Sequence, residues 1–495
     1  MNSKKFKCKR ILAGVMSAAM LFQFTQVNVF AQGGTGEEKF KNEVMSIDNI
    51  CGNMASDGIT SETTIMDISK DSSSNEIINI PDQNLKIALN KALSQPEDSD
   101  ITKEQLEAFT SINLKGNNIS NLEGLQYCIN AGTIDLSGNQ ISDLTPLKDL
   151  INLEILDAAT NNISDIGALS NLTKMKVLVL HNNNISDIQG LKNMTELMDL
   201  NLGYNNISDV SPIENAKGLT ILVLRMNSIN NIEPLKDLTS LFGLSLENNP
   251  IEDISALNNM KDMNILELRS TKISDITPLK NMKDLAMLRL SNNEISDLTP
   301  LKDMSKLMLL YLENNKISDI TPLANMGKLV DLSLWNQKVV LPEQKFKSNL
   351  EIENTIKSVD GESISPENIS GSGIYDATSN KIKWENIEND VTNETYTFKK
   401  SIRIGESISD FSGTVEQPIA FNNSTDKPNE DGSNDNNTDN TNPGGTNTDS
   451  TKPNKTEGSN NTVSPKTGDV GALGYMCLGT ISLAGLVIGR RKNRK

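Results

Sequence analysis

Histidine is almost absent from this 495-residue chain, which has one, His181. Catalytic triads, histidine general bases and histidine-based zinc sites all need an imidazole with suitable acidic, cysteine or nucleophilic neighbours. The sequence places no such neighbours around His181, and it contains no phosphate-binding loop or nucleophile motif. The Asp- and Asn-rich stretch 431–439 also lacks the spacing of a calcium loop. The sequence therefore predicts no enzymatic activity, no metal site and no cofactor.

Cysteine is also scarce, and the excess of charge has one sign. Of the 4 cysteines, Cys8 and Cys477 lie near the ends, which leaves Cys51 and Cys128 between them. Such a pattern does not support a disulfide framework, and Cys128 occupies a position where a small core residue is expected. The net charge of −17 repels phosphate backbones, so nucleic acid is excluded as the expected partner.

The chain does contain a repeat of 22 residues without insertions. A period of this length that carries L-x-x-L-x-L-x-x-N is typical of leucine-rich repeat proteins. The anchor of each repeat is an amide in all but one case: Asn117, Asn139, Asn161, Asn183, Asn205, Asn227, Asn249, Thr271, Asn293, Asn315 and Gln337. Since an amide both donates and accepts, stacked anchors can satisfy backbone groups, and Thr271 should weaken that ladder locally.

Seven apolar positions of each repeat are expected to be buried. In the repeat anchored at Asn183 they are Met175, Leu178, Leu180, Ile185, Ile188, Leu191 and Met194. The predicted fold is an α/β-type solenoid, a right-handed leucine-rich repeat superhelix with parallel strands on its concave face. Short 3₁₀ turns or irregular segments should line the convex side, because about 17 residues per turn are too few for a long helix.

Both ends of the chain have the features of targeting segments. Residues 1–31 have a basic start and an apolar run, which predicts a signal peptide cut after Ala31. At the other end, 470–489 is long enough to cross a membrane and is followed by a basic tail. The pentapeptide before it resembles the sorting signal of Gram-positive wall proteins, which implies sortase cleavage between Thr467 and Gly468 rather than plain membrane anchoring. Its residues are Ser464, Pro465, Lys466, Thr467 and Gly468.

Changes in composition divide the rest of the chain. Residues 32–75 are predicted to be a flexible polar segment, 76–110 a helical cap, 111–340 the repeat array and 422–463 a disordered tether rich in Asn, Thr and Asp. Residues 464–495 hold the sorting signal. Between array and tether, 341–421 should form an Ig-like β-sandwich from short strands. Its candidate strands are Ile374–Tyr375, Lys381–Trp384, Thr395–Phe398 and Ser401–Ile404.

These features together resemble the internalin family. The resemblance rests on Ile-Ser-Asp-Leu-Thr-Pro-Leu at 141–147, on the Pro81-Asp82 opening of the cap and on the closing Leu-x-Leu-Trp-Asn-Gln at 332–337. The order of array, following module and sorting signal completes it. It implies a secreted protein, linked covalently through Thr467 to the Gram-positive cell wall after transient membrane insertion of 470–489. It also implies adhesion to, or invasion of, a host through a host or extracellular protein partner.

Register predicts which side chains would meet that partner. Residues four and two before each anchor should point outward from the concave face, and the residue just before it should stand at the rim. The candidates are Val179, His181, Tyr204, Val223, Arg225, Met226, Glu247, Glu267, Arg269, Arg289, Tyr311, Glu313 and Trp335. Two alternatives stay open: the charges pair across strands, and Trp335 packs against the following module. The alternative function is a structural surface-layer or biofilm component that binds wall polymer or itself.

Overall fold

Short parallel strands recur along the middle of the chain. The computed structural model describes residues 63–65 and 76–421. One strand belongs to each repeat: β4 Phe109–Asn113, β5 Thr133–Asp135, β6 Ile155–Asp157, β7 Val177–Val179, β8 Asp199–Asn201, β9 Ile221–Val223, β10 Gly243–Ser245, β11 Ile265–Glu267, β12 Met287–Arg289, β13 Leu309–Tyr311 and β14 Asp331–Val340. Each residue pairs with its equivalent in the next repeat, as Leu222 does with Leu244.

The chain returns from one strand to the next through single turns of 3₁₀ helix, as the spacing predicts. These turns are Leu125–Tyr127, Thr145–Leu147, Gly167–Leu169, Gln189–Leu191, Ser211–Ile213, Glu233–Leu235, Ser255–Asn259, Thr277–Asn281, Thr299–Leu301 and Thr321–Leu323. Six of them carry proline in the first turn, where the missing amide proton has no helical acceptor to lose. A parallel sheet of short strands backed by 3₁₀ turns is the architecture of a leucine-rich repeat solenoid.

The predicted apolar positions fill the interior between strands and turns. In the repeat anchored at Asn183, all seven side chains predicted to be buried are at most 1% exposed. Cys128 is likewise 0% exposed, and burial raises the pKa of its thiol far above the ordinary value. It is therefore an inert core residue, as its position in the repeat predicts.

The anchor amides form the predicted ladder. The Nδ2 of Asn205 donates to the carbonyl oxygens of Leu180 and Leu202, both at 3.0 Å, and its Oδ1 accepts from the backbone N–H of Ile185 at 3.0 Å. The next anchors repeat these contacts. Thr271 interrupts them, because its short hydroxyl bonds to Leu268 O and Asn293 Oδ1 instead. The equivalent backbone N–H of the preceding repeat, that of Ile251, turns to Asn249 O at 2.9 Å.

Two helices precede the array, α1 at Gln83–Ala92 and α2 at Lys103–Glu107. Between and before them, β2 (Ile77–Ile78) pairs antiparallel with β3 (Ile101–Thr102). Leu85, Leu89 and Leu106 are 0% exposed and belong to the same apolar cluster as the first repeat. A capping box between Thr102 and Gln105 starts α2.

Asp82 ties α1 to the array. Its Oδ1 accepts the N–H groups of Asn84 and Leu85, and its Oδ2 accepts those of Ser120 and Asn121 at 2.8 and 2.9 Å. Burial opposes ionisation of this carboxyl, but the hydrogen bonds from Ser120, Asn121 and Leu85 outweigh it and lower the pKa of Asp82. The first helix and the first repeat are therefore joined through one charged side chain.

Both edges of the repeat sheet are occupied. Within the segment predicted to be flexible, β1 (Thr64–Ile65) pairs antiparallel with β4, a contact that the polar sequence around it did not indicate. At the other end, β14 continues beyond the array and pairs in parallel with β20, Ser407–Ala420. Covering the edges of a sheet prevents pairing with other chains.

The segment after the array contains longer strands than predicted. β20 pairs with β15 (Gln344–Lys345) and forms a long hairpin with β19, Asn393–Ile404. Thr395–Phe398 and Ser401–Ile404 are thus parts of one strand, because inward and outward residues alternate almost unbroken through Lys399 and Lys400. A second sheet has the order β16–β18–β17, with β16 Leu350–Glu353, β17 Ile374–Asp376 and β18 Lys381–Trp384.

Several predictions lie outside the described residues: the signal peptide with Ala31, the tether, the apolar stretch 470–489, and the motif Ser464 to Gly468. Among the residues that are described, no helix combines the length and apolar character needed to cross a bilayer.

Candidate functional site

The outer face of the repeat sheet carries the candidate site. We call it the strand face, the surface that the sequence analysis predicted to be concave. Each strand places its inward leucine or isoleucine between two outward residues, so side chains six, four and two positions before the anchor line up across the repeats. Eleven strands about 4.8 Å apart make this face roughly 50 Å long. A surface of this length has the dimensions of a protein domain rather than those of a small molecule.

The predicted site residues fall into three groups by exposure. Tyr204, Met226 and Trp335 are 41%, 42% and 48% exposed, and Arg269 is also exposed. His181, Arg225, Arg289, Tyr311 and Glu313 are partly buried. The remaining four are buried: Val179, Val223, Glu247 and Glu267. The exposed group therefore contains the predicted site residues that are most accessible to solvent.

Two separate apolar clusters lie on the strand face. Val179 packs with Ala159 near the start of the array. Val223 belongs to a separate cluster whose other buried members are Ile221, Ile265 and Met287. Three of these residues stand six positions before an anchor, a row that the sequence analysis left out. Extending the two-residue alternation by one more step would have found it.

Three charged residues in the second half of the strand face, Arg289, Glu267 and Glu247, are paired with one another. The Arg289 guanidinium lies 3.6 Å from the Glu267 carboxylate and 3.9 Å from that of Glu247. It also stacks over the Tyr311 ring, 5.3 Å from the centroid, and Tyr311 Oη donates to Asp331 Oδ2 at 2.6 Å. Burial and this hydrogen bond raise the pKa of Tyr311 above its ordinary range. The structure therefore contains the cross-strand pairing that was considered as an alternative for Arg289. This residue contacts side chains from three other repeats and holds them together.

A second cation–aromatic pair stands near the middle of the array. The Arg225 guanidinium lies 4.8 Å from the centroid of the Tyr204 ring. Tyr204 and Met226 each precede an anchor, and both have φ of +55°. This left-handed conformation is natural for Gly or Asn but costs other residues about 1 kcal/mol. Two large exposed side chains are therefore held at positions that favour Asn.

Two carboxylates at the start of the strand face were not singled out from the sequence. Asp135 and Asp157 stand at equivalent positions in adjacent paired strands. Burial raises the pKa of Asp157 to about 6, with a further contribution from Asp135 and an opposing one from the Ala159 N–H bonded at 2.9 Å. Within residues 63–65 and 76–421, no group of three or more His, Cys, Asp or Glu residues is arranged to hold a metal ion.

Comparisons with known proteins found family models and relatives that match parts of this chain. A family model described as leucine rich repeats (2 copies) matches residues 151–193 and 283–338, and one described as LRR adjacent matches 361–420. A solved internalin (inlF) from Listeria monocytogenes is 36% identical, with a TM-score of 0.51 over 52% of this chain and 77% of that one. A solved internalin C2 (inlC2) of the same organism is 26% identical over 53% of this chain and 99% of that one, with a TM-score of 0.31.

Internalin H of Listeria monocytogenes is 35% identical over 74 residues. That match spans 15% of this chain and only 13% of the length of Internalin H.

Proposed function

This chain belongs to the internalin family of leucine-rich repeat proteins, and from that premise we propose that it is a surface protein that binds a host or extracellular protein through its strand face. The observation that carries the proposal is the exposed set Tyr204, Met226, Arg269 and Trp335 on a face roughly 50 Å long. Tyrosine, tryptophan and arginine are the residue types enriched at the energetic centres of protein interfaces.

The flanking segments have supporting roles in this proposal. The helices α1 and α2 act as the cap of the array, because Leu85, Leu89 and Leu106 continue its apolar core. Residues 341–421 form an Ig-like module that presents the array. Cleavage after Ala31 releases the chain from the export pathway, and a sortase links Thr467 to the cell wall. The function is adhesion, and no enzymatic activity is assigned.

The test of binding uses a single charge reversal on each side of the solenoid. Arg269→Glu changes an exposed side chain of the strand face, and Lys261→Glu makes the same change at an exposed convex position in the turn that precedes β11. Arg289 is unsuitable, because its reversal would set a third carboxylate against Glu247 and Glu267.

We expect crosslinking capture of a host-cell surface protein to fall at least tenfold with Arg269→Glu and to stay unchanged with Lys261→Glu, since interface charges act locally. Equal capture by both variants would remove the strand face from the function. Capture of isolated wall material in place of a host protein would instead identify a structural surface-layer or biofilm component.

A further inference from the structure

The last two strands of the array bring together an exposed aromatic ring and acceptor atoms that lack partners. Trp335 is 48% exposed on β14. It lies beside Glu313, because the Asn314 N–H donates to Trp335 O and continues the register in which Tyr311 pairs with Ser333. With this exposure, the following module does not cover Trp335 completely.

Two oxygen atoms on residues that flank Trp335 in the strand register have unused hydrogen-bonding capacity. Glu313 Oε2 and Ser333 Oγ are both buried, and within residues 63–65 and 76–421 neither has a hydrogen-bond partner. Ser333 stands two residues before Trp335 on the same side of β14, and Glu313 stands across from Trp335 on the neighbouring strand. Buried polar atoms normally have partners, so two unused ones on the residues that flank one exposed tryptophan point to an incoming donor.

The chemistry of that donor follows from the three groups. A carboxylate attracts positive charge, and the face of a tryptophan ring attracts cations more strongly than any other side-chain ring. A lysine ammonium has three donors that can be directed separately to a carboxylate oxygen and a hydroxyl oxygen. The guanidinium of arginine is planar and is suited to bind both oxygens of one carboxylate. Only one oxygen of Glu313, Oε2, is buried without a partner. The set therefore fits a lysine side chain better than an arginine.

We infer that Trp335, Glu313 and Ser333 form a subsite for a lysine side chain of the protein partner. This inference rests on the proposed function, since it names the chemistry of the partner at one end of the strand face. It also accounts for an exposed tryptophan beside an acidic residue in a chain of net charge −17, for which a basic partner is the electrostatic complement.

The chain contains only two tryptophans, which provides an internal reference for the test. Trp384 is 0% exposed, and its Nε1 donates to Ser370 O at 2.9 Å. The full chain labelled with 5-fluorotryptophan should give two fluorine resonances, assigned with Trp335→Phe. The probe is the blocked tripeptide acetyl-Gly-Lys-Gly-amide, with norleucine and arginine versions as controls.

We expect the Trp335 resonance to shift with the lysine peptide while the Trp384 resonance stays in place. Glu313→Gln should weaken this binding about tenfold, and Glu196→Gln, the same change at an exposed convex position, should leave it unaltered. A shift of equal size with the norleucine peptide, or binding unaffected by Glu313→Gln, would overturn the inference. Stronger binding of the arginine peptide would overturn the assignment to lysine.

Failure of this subsite and failure of the proposed function can be told apart. If the peptides produce no shift while Arg269→Glu still abolishes capture of the partner, the strand face binds and only the lysine subsite is wrong. If the lysine peptide binds but neither Arg269→Glu nor Glu313→Gln affects capture of the partner, the subsite exists and the proposed function is wrong.

Discussion

Replacing one anchor amide should weaken the stack at a place that can be located. Asn205→Thr recreates in the middle of the array the rung that Thr271 occupies naturally. The threonine hydroxyl is too short to reach the preceding repeat, so the bonds of Asn205 to the Ile185 N–H and the Leu180 carbonyl are lost. The equivalent bonds are missing at Thr271, which is 7% exposed against 8% for Asn205.

The expected cost follows from these two bonds. Leu180 O keeps the bond donated by Asn183 Nδ2, so its loss is moderate. The N–H of Ile185 can turn to the backbone oxygen of Asn183, as the Ile251 N–H turns to Asn249 O beside Thr271, so this donor is not left without an acceptor. At about 1 kcal/mol for each of the two lost bonds, Asn205→Thr should lower the free energy of unfolding by about 2 kcal/mol. Thr271→Asn should raise it by about 1–2 kcal/mol, because the rung is completed.

Amide hydrogen exchange is the appropriate assay, since repeat arrays open locally. A local loss of about 2 kcal/mol corresponds to roughly 30-fold faster exchange at the Ile185 amide. Asn193→Thr, at an exposed convex position, is the matched control and should leave exchange unchanged. If Asn205→Thr left the Ile185 amide as protected as before, the ladder would not hold the repeats together, and the reasoning from hydrogen bonds would be wrong.

Three other substitutions test separate features. Tyr204→Asn should raise the free energy of unfolding in urea by about 0.5–1 kcal/mol, because asparagine tolerates positive φ, and it should weaken capture of the partner. A lower stability of this variant would show that the positive φ does not strain Tyr204. Since the folded pKa of Asp157 is raised to about 6, the stability it contributes is complete below pH 3.8 and lost as the pH rises through 6. Asp157→Asn should therefore stabilise the protein by about 1–2 kcal/mol at pH 7 and have little effect at pH 4, measured by urea midpoints. The pKa of Asp82 is lowered, so its contribution is present above about pH 3.8 and lost in acid; Asp82→Asn should cost about 1–2 kcal/mol at pH 7 and much less at pH 2, and an equal cost at both would argue against the charged hydrogen bonds.

The repeat was predictable because each of its parts is local. The interval from one anchor to the next fixes the register, and the alternation through Leu178 and Leu180 determines which side chains face inward. The side chain of Thr271 is too short to span two repeats, so the local gap in the ladder was also predictable. Nothing beyond the spacing and the donor and acceptor chemistry of the anchor was needed.

Contacts between distant segments were not predictable in the same way. The pairing of Thr64–Ile65 with β4 joins residues from a stretch without any period. The ion pairs of Arg289 depend on which rotamers reach across two strands, and the spacing of the repeat does not specify those rotamers. The raised pKa of Asp157 depends on burial by neighbours, which the sequence does not specify.

The strand β14 belongs to the array and to the following module at once. Its first residues pair with β13, and Leu334 and Gln337–Val340 pair in parallel with β20. Within the described residues, no flexible joint therefore separates the array from the module. A force that moves one relative to the other must break several backbone hydrogen bonds at once. The module is therefore attached rigidly to the array. Lengthening or shortening β14 by one residue would change the orientation of the array relative to the module.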